Sequence, residues 1–502
     1  MGVNFVKGNK FRSGFNYSLM LLVSFFFVLL FTRSFNPFLD ILGGDSGIYR
    51  YIGKVWAGGG LPYVDAFDHK GPLIFLINAI PFLFTESPWG VIVMQVLFLF
   101  PTLLLIQKIA LELLPDKTGA DWSFCFTFLA YVGLCYDGGN RHESYGLLFD
   151  AVAVLLFVKY AARETDDVPG LHSFVLGMLF ALHFLSRLNN AVVLLVIMAV
   201  VGVRLIVKKR SKNIFSTLLF FVLGFFTACA PFAVYFLANG AFVDFLNGTL
   251  IYQISYVQNS ADAQDPALFA IYMNRMAVLY IAPCLVCIPA AILTLRKGIR
   301  QKQEQLYGSF VLVSFAAGLL YLLTGKRYYA HYFIVLGMPV VFGIMLLVRH
   351  FLPKFKNTKK TIICLILVCV VAFLSSWTFM AVKYKEMFSP GKSGSYVCSN
   401  QIVEHIPEDC RGDVAAWTSQ VEFYHYTGII TPFKHFFWQD SEQNFHENIR
   451  KEMIEYFNNT PPAYLVTDAN KLPVVDEVRL VVETRYTLID SNELFDLFVL
   501  ND

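Results

Sequence analysis

The stretch Pro72-Leu-Ile-Phe-Leu-Ile-Asn-Ala-Ile-Pro-Phe-Leu-Phe84 decides how the whole chain threads. It is apolar, yet it falls short of the roughly 20 residues a helix needs to cross a hydrocarbon core of about 30 Å. Counted as a span, it would reverse the side of every later loop, and that is the main alternative topology. Read as an interfacial helix opened by Pro72, where proline suits a first turn, it leaves residues 40–72 as one large outer loop. A second shallow helix is expected inside that loop, around Ile48 to Trp56.

Outward from this segment lie eleven longer apolar runs, centred near Leu22, Leu99, Phe128, Val154, Phe180, Val196, Leu223, Ile281, Ala316, Gly337 and Val368. The first has no small-residue cleavage site after it and is expected to stay as a membrane helix. The composition agrees: 502 residues, 56% hydrophobic and 15% charged, with a mean hydropathy of +0.55, describe a chain that lives in a bilayer. The near balance of 40 basic and 37 acidic residues gives no reason to expect nucleic acid as a partner. Disorder, collagen and coiled coil are excluded on the same composition. Cys284 and Cys287 form a C-x-x-C pair with no second ligand pair nearby, which reads as packing.

Orientation follows from the basic residues, which stay on the cytoplasmic side of short loops. With Lys7, Lys10 and Arg12 inside, alternation puts Lys108 and Lys117, Lys159 and Arg163, Lys208 to Lys212, Arg296 to Lys302 and Arg349 to Lys360 inside as well. Of the 30 basic residues in 1–380, 21 then face the cytoplasm and 9 remain outside or at outer helix ends. After Met380 the chain changes character, with 19 acidic and 10 basic residues in 381–502, a net charge of 10 − 19 = −9. Short β-rich runs (Val414 to Trp417, Ala463 to Val466, Leu480 to Val482, Leu497 to Leu500) alternate with a polar helix around Phe445 to Phe457. The expected architecture is a polytopic α-helical membrane module, 1–380, followed by a small soluble α/β domain, 381–502, on the outer side. Cys398 and Cys410 in that domain are close enough in sequence to bridge in an oxidising compartment, or to stay as two thiols.

Charged residues at helix ends or at bilayer depth are costly and mark function by default, and here they gather on the outer side. The first outer loop reads Gly-Gly-Asp45-Ser-Gly-Ile-Tyr49-Arg50, then Leu-Pro62-Tyr63-Val-Asp65-Ala-Phe-Asp68-His69-Lys70-Gly-Pro72. Glycines beside Asp45 allow a ligand to approach the backbone. Asp68-His69-Lys70 sets an acid, an imidazole and a cation at a helix start, a place suited to a phosphate. The plainer alternatives are an N-cap role for Asp45 and a snorkelling role for Lys70. Further candidates are Arg141, Glu143 and Asp150 at the start of the fourth span, Arg187 between the fifth and sixth, Arg275 in the eighth, and the turn Gly325-Lys326-Arg327-Tyr328-Tyr329-Ala330-His331-Tyr332. For Arg187 and Arg275 the alternative is an ion pair with Asp150 or Glu143 that fixes helix packing. For His331 it is a packed histidine.

The order of these motifs resembles the GT-C glycosyltransferases, in the bacterial branch similar to protein O-mannosyltransferases and lipid A aminoarabinose transferase. They are a first-loop Asp, a Gly-x-Pro-Tyr-x-Asp stretch, an acid-x-Lys-x-Pro helix start, a late His-Tyr-Phe turn and a soluble C-terminal domain. The resemblance covers the whole chain. It implies sugar transfer from a polyprenyl-phosphate donor to an acceptor outside a bacterial inner membrane. It places Asp45 at the family's catalytic acid, Lys70 at the lysine that meets the lipid phosphate, Glu143 at an acid beside the acceptor, and Arg327 with His331 at the turn lining the donor pocket. Lys70-Gly71-Pro72 departs from the family's Lys-Pro-Pro, and Ser46 stands where relatives carry a second acid, which leaves divalent metal dependence open.

Chemistry fits the implied reaction. A hydroxyl attacking an anomeric carbon needs a base, for which Asp45 serves, with Asp68 or Glu143 as alternatives. A departing lipid phosphate needs cations, which Lys70, Arg327 and Arg275 supply. The competing classes are a lipid-linked glycan flippase or transporter, an O-antigen polymerase and an O-acyltransferase. No internal repeat of the kind common in transporters is present.

Overall fold

The structure is a computed structural model that describes residues 10–114, 121–252, 277–297, 301–324, 329–351, 393–437 and 447–501, with Leu374. Helices are numbered here among those residues. The chain forms two compact units. The first comprises Met1–Thr32, Ile92–Cys229 and Asp265–Lys385; the second comprises Arg33–Val91, Ala230–Gln264 and Glu386–Asp502.

The first unit is built from apolar helices: α1 (Lys10–Phe31), α4 (Trp89–Leu113), α5 (Asp121–Cys135), α6 (His142–Ala161), α7 (Gly170–Phe184), α8 (Val192–Val207), most of α9 (Ser211–Ala238), α11 (Ala277–Lys297), α12 (Lys302–Thr324) and α13 (Gly337–Phe351). Ten of the expected span centres fall on these helices or, for Gly337, at the first residue of one. The eleventh, Val368, lies outside the described residues. Among the described residues, seven helical segments are long and apolar enough to cross a membrane, from Trp89–Leu113 to Ala330–Phe351. The reason these runs become helices is that a bilayer leaves no water for backbone N–H and C=O groups, so each segment must satisfy its own. Lipid gives no hydrophobic drive between helices, so contact comes from close approach. Between α7 and α9 that approach is reciprocal: a Cβ on Gly177 would lie 1.9 Å from the Phe221 carbonyl oxygen, and one on Gly224 would lie 1.9 Å from that of Phe174.

In the second unit α2 (Gly44–Ala57) and α3 (Pro72–Ala79) lie side by side. Pro72 occupies the first turn of α3, and a 3-10 turn, Ile80–Leu83, completes the short apolar segment. At this length it remains a short helix. The α2 helix begins four residues earlier than its apolar periodicity suggested, because Gly43 is extended and Gly44 (φ 68°) turns the chain directly into the helix. A Cβ on Gly53 would sit 2.6 Å from the Asn78 carbonyl carbon, so the two helices touch backbone to backbone there. The short α10 (Phe242–Leu246) follows the end of α9.

The C-terminal part holds α14 (Gly394–Glu404), α15 (Glu422–Thr427), α16 (Glu447–Asn459) and α17 (Asp476–Arg485) around a four-stranded sheet. The strands are β1 (Val414–Trp417), β2 (Tyr464–Asp468), β3 (Tyr486–Ser491) and β4 (Phe495–Leu500), in the order β1-β2-β4-β3. The β1–β2 pair is parallel, and β4 runs antiparallel to both its neighbours. One expected strand is corrected: Leu480 to Val482 belongs to α17. Val478, Val481 and Val482 are its buried positions, the i, i+3, i+4 spacing of a helix face, whereas a run of three apolar residues alone cannot separate helix from strand. Cys398 and Cys410 are both free thiols.

Candidate functional site

Asp45 sits in the first turn of α2, half-buried, where the positive end of the helix dipole stabilises an anionic side chain. On the same helix Tyr49 meets Phe75 of α3, with ring centroids 6.3 Å apart. One turn further on, Gly53 meets Asn78 and Ala79. Four residues along α2 therefore match three or four along α3, and the two helices run in the same direction. One turn back from Tyr49 and Phe75 stand Asp45 and Gly71, so the N-terminal ends of both helices, with Asp45 on one and Lys70 leading into the other, lie at the same end of the pair.

Lys70 is held by its own neighbours. Its ammonium donates to His69 Nε2 at 2.7 Å and lies 3.5 Å from Asp68 Oδ1, and His69 Nδ1 is 3.3 Å from that same oxygen. Because an ammonium can only donate, Nε2 is the accepting nitrogen and the ring proton sits on Nδ1, facing the carboxylate. Asp68 is 1% exposed, which makes it a support for the cation rather than a group open to a ligand. The Tyr63 hydroxyl donates to the Lys70 carbonyl at 2.7 Å and reaches Thr249 Oγ1 at 3.4 Å. Burial pushes the Tyr63 phenol well above its ordinary value, and the nearby Asp68 charge adds to that, so it stays a neutral strut.

His425 anchors the first turn of α2 from the C-terminal part. Its Nε2 donates to the Gly47 carbonyl at 2.8 Å, and its ring packs on Phe35 and Tyr51. Burial lowers its pKa from 6.5 to about 3, against a partial upward pull from the Gly47 carbonyl. A base depressed in the fold contributes stability that is complete above the unfolded value near 6.5 and fades as pH falls toward 3. Thermal melting of the purified protein should therefore drop between pH 7 and pH 4, by an amount on the order of a few kcal/mol for this group. His425→Gln, which keeps a donor but cannot titrate, should flatten that part of the profile; parallel profiles for the two proteins would remove the role.

In the first unit the other candidates pair with each other. The Arg187 guanidinium donates to Glu143 Oε1 at 2.8 Å and to the Tyr332 hydroxyl at 2.8 Å, with its carbon 4.6 Å from the Tyr332 ring centre. Asp150 is taken by His183, 3.2 Å away. Of the two acids the sequence offers Arg187, the structure selects Glu143. His331 Nδ1 lies 2.8 Å from Asp137 Oδ2, which Arg141 also approaches at 3.6 Å. Sequence alone does not single out Asp137; its signal is the turn Tyr136-Asp-Gly-Gly-Asn140 directly before Arg141, where Asp137 itself has φ 47°. Arg275 and Arg327 lie outside the described residues. Among the described residues no three His, Cys, Asp or Glu side chains gather as a metal-holding group.

A cavity of about 600 Å³ opens at the C-terminal end of α2, lined by Lys54, Asp65, Phe82, Glu86 and Thr431 among others. Ala57 lines it as well, about 18 Å along the helix from Asp45 at the usual rise, so this cavity is separate from the Asp45 end.

A family model described as the putative competence-induced protein Ccs4 N-terminal domain matches residues 7–362. No curated protein matches the sequence. Among solved structures, the crystal structure of ArnT from Cupriavidus metallidurans bound to undecaprenyl phosphate is similar with a TM-score of 0.57 at 12% identity, over 97% of this chain and 98% of that one. The cryo-EM structure of the arabinofuranosyltransferase AftD from Mycobacteria is similar with a TM-score of 0.52 at 11% identity, over 97% of this chain and 40% of that one. The chain thus spans less than half the length of AftD. The fold is the GT-C fold, as the order of the sequence motifs implied.

Proposed function

We propose that this chain, which belongs to the family of the putative competence-induced protein Ccs4 N-terminal domain, is a membrane glycosyltransferase that moves a sugar from a polyprenyl-phosphate donor to an acceptor outside the cytoplasm. The observation that carries this reading is the shared end of α2 and α3, where Asp45 and the Asp68–His69–Lys70 group stand at two helix starts pointing the same way. Helix N-termini and an ammonium favour a phosphate, and a carboxylate at the same end is placed to act on an incoming hydroxyl. The acceptor oxygen bonds to the anomeric carbon, the bond from that carbon to the phosphate oxygen breaks, and the electron pair leaves with the lipid phosphate toward Lys70. Asp45 takes the acceptor's proton. A donor carried by the membrane suits a surface with no nucleotide supply. The similarity to a structure of ArnT bound to undecaprenyl phosphate supports the donor class.

The test is direct. Purified protein incubated with radiolabelled polyprenyl-phosphate sugar and cell-envelope extract should release polyprenyl phosphate and label an acceptor. Movement of uncleaved donor across proteoliposome membranes, with no release, would instead establish a flippase.

The same reading sets a topology: N-terminus inside, residues 381–502 outside. A C-terminal alkaline phosphatase fusion should be active and a C-terminal green fluorescent protein fusion dark. The inverse pattern would mean that Leu73 to Phe84 crosses the membrane and would move Asp45 and Lys70 relative to the charge-bearing loops.

A further inference from the structure

The first unit also holds a narrow slot of about 190 Å³ between α6, α7, α8 and α9. It lies beside Leu156 to Tyr160, at the opposite end of α6 from Glu143, about 25 Å away at helical rise. The walls are almost wholly apolar, with Phe157, Val201, Leu205 and Phe221 among them. Of the four polar lining residues, the Tyr160 and Ser173 hydroxyls bond to backbone carbonyls, and the other two stay unsatisfied. His172 Nδ1 and Thr217 Oγ1 are buried and have no hydrogen-bond partner, an arrangement that costs about 1–3 kcal/mol per group unless something else satisfies it. Gly202 leaves the slot open at one wall, since a Cβ there would meet nothing within 4 Å.

Bases outnumber acids at the rim. Arg204 and Lys302 share the single carboxylate of Asp166, at 2.6 and 3.5 Å, with Glu164 and Asp167 in the same stretch of chain. Lys159 and Arg163 are exposed and have no carboxylate partner among the described residues, and their charges act on His172. Lys208, Lys209, Arg210 and Lys212 are exposed where α8 gives way to α9. A volume of this size admits one hydrocarbon segment, since apolar cavities of about 150 Å³ hold a molecule as small as benzene. Uncommitted cations at its mouth select an anionic head group.

We propose that the slot takes a segment of one acyl chain of an anionic membrane phospholipid, with its ester region against His172 and Thr217 and its phosphate against Lys159 and Arg163. This site is independent of the sugar-transfer reading, because it lies at the far end of α6 and uses none of the residues assigned to that chemistry.

Native mass spectrometry of the full chain in detergent, offered dioleoylphosphatidylglycerol or dioleoylphosphatidylcholine, tests it. The expected result is one retained phosphatidylglycerol at a tenfold or greater preference over phosphatidylcholine. Gly202→Leu fills the slot where there is room, and should lower retention of both lipids at least tenfold. Lys159→Gln combined with Arg163→Gln changes only exposed side chains, so the fold should survive, and it should erase the preference between the lipids. Equal retention of the two lipids by the unaltered protein, or undiminished retention of phosphatidylglycerol in folded Gly202→Leu, would each overturn the proposal.

Discussion

Asp45→Asn is expected to cut turnover by roughly a hundredfold to ten-thousandfold, the usual range for loss of a general base, while donor binding persists. Asparagine keeps the shape and can still sit in the first turn of α2, so the helix and its His425 anchor should be unaffected. The comparison variant is Glu143→Gln. In the structure Glu143 is committed to Arg187 at 2.8 Å, and Arg187 in turn to Tyr332. Removing that carboxylate leaves a buried guanidinium without its counter-ion, which typically costs about 3–5 kcal/mol. Glu143→Gln should therefore lower the melting temperature clearly and reduce activity in step with the folded fraction, whereas Asp45→Asn should reduce kcat with only the small drop in melting temperature that loss of a charge at a helix start brings, about 0.3–1 kcal/mol. Near-normal turnover in folded Asp45→Asn, measured with radiolabelled donor, would end the assignment of the base to Asp45.

What sequence showed and what it hid follow from range. The membrane helices were legible because a bilayer imposes one strong, local requirement, about 20 apolar residues with the backbone satisfied internally. The Lys70 group was legible for the same reason: Asp68, His69 and Lys70 are consecutive, and their mutual contacts need no distant partner. Pairings across helices were not. Glu143 and Asp150 are seven residues apart on one face of α6, and only the rotation and depth of α7 against it decides that Arg187 takes the first and His183 the second. Asp137 was hidden by a turn whose left-handed backbone reads as an ordinary Gly-Gly bend until His331 is seen against it. In the C-terminal part, β1 was read at its true limits because four consecutive buried positions, Val414 to Trp417, form a short apolar run. Leu480 to Val482 presents a similar run but is wound into a helix by the polar residues around it, while β3, whose middle positions Thr487, Leu488 and Ile489 are exposed, gives no alternating signal at all.

If Lys70 holds the donor phosphate as proposed, Lys70→Ala is expected to weaken donor binding by about 2–5 kcal/mol, roughly thirtyfold to several thousandfold in Kd. The fold should tolerate the change. Asp68 keeps His69 as a partner at 3.3 Å, and the Tyr63 hydroxyl bonds to the Lys70 backbone carbonyl, which alanine retains. The loss should appear in Kd for polyprenyl phosphate itself, without any sugar, since the contact is to the leaving group. Lys70→Arg should recover part of the affinity, because the charge returns but the guanidinium cannot sit at the 2.7 Å contact with His69 in the same way. A snorkelling lysine would behave differently: alanine would leave Kd for polyprenyl phosphate unchanged in the folded protein, and arginine would match the original residue. Isothermal titration in detergent, with the three proteins brought to equal folded fraction, separates the two cases. Affinity that holds in Lys70→Ala but collapses when the positive residues of the 325–332 turn are replaced would move the phosphate to Arg327 and leave Lys70 as a partner for Asp68.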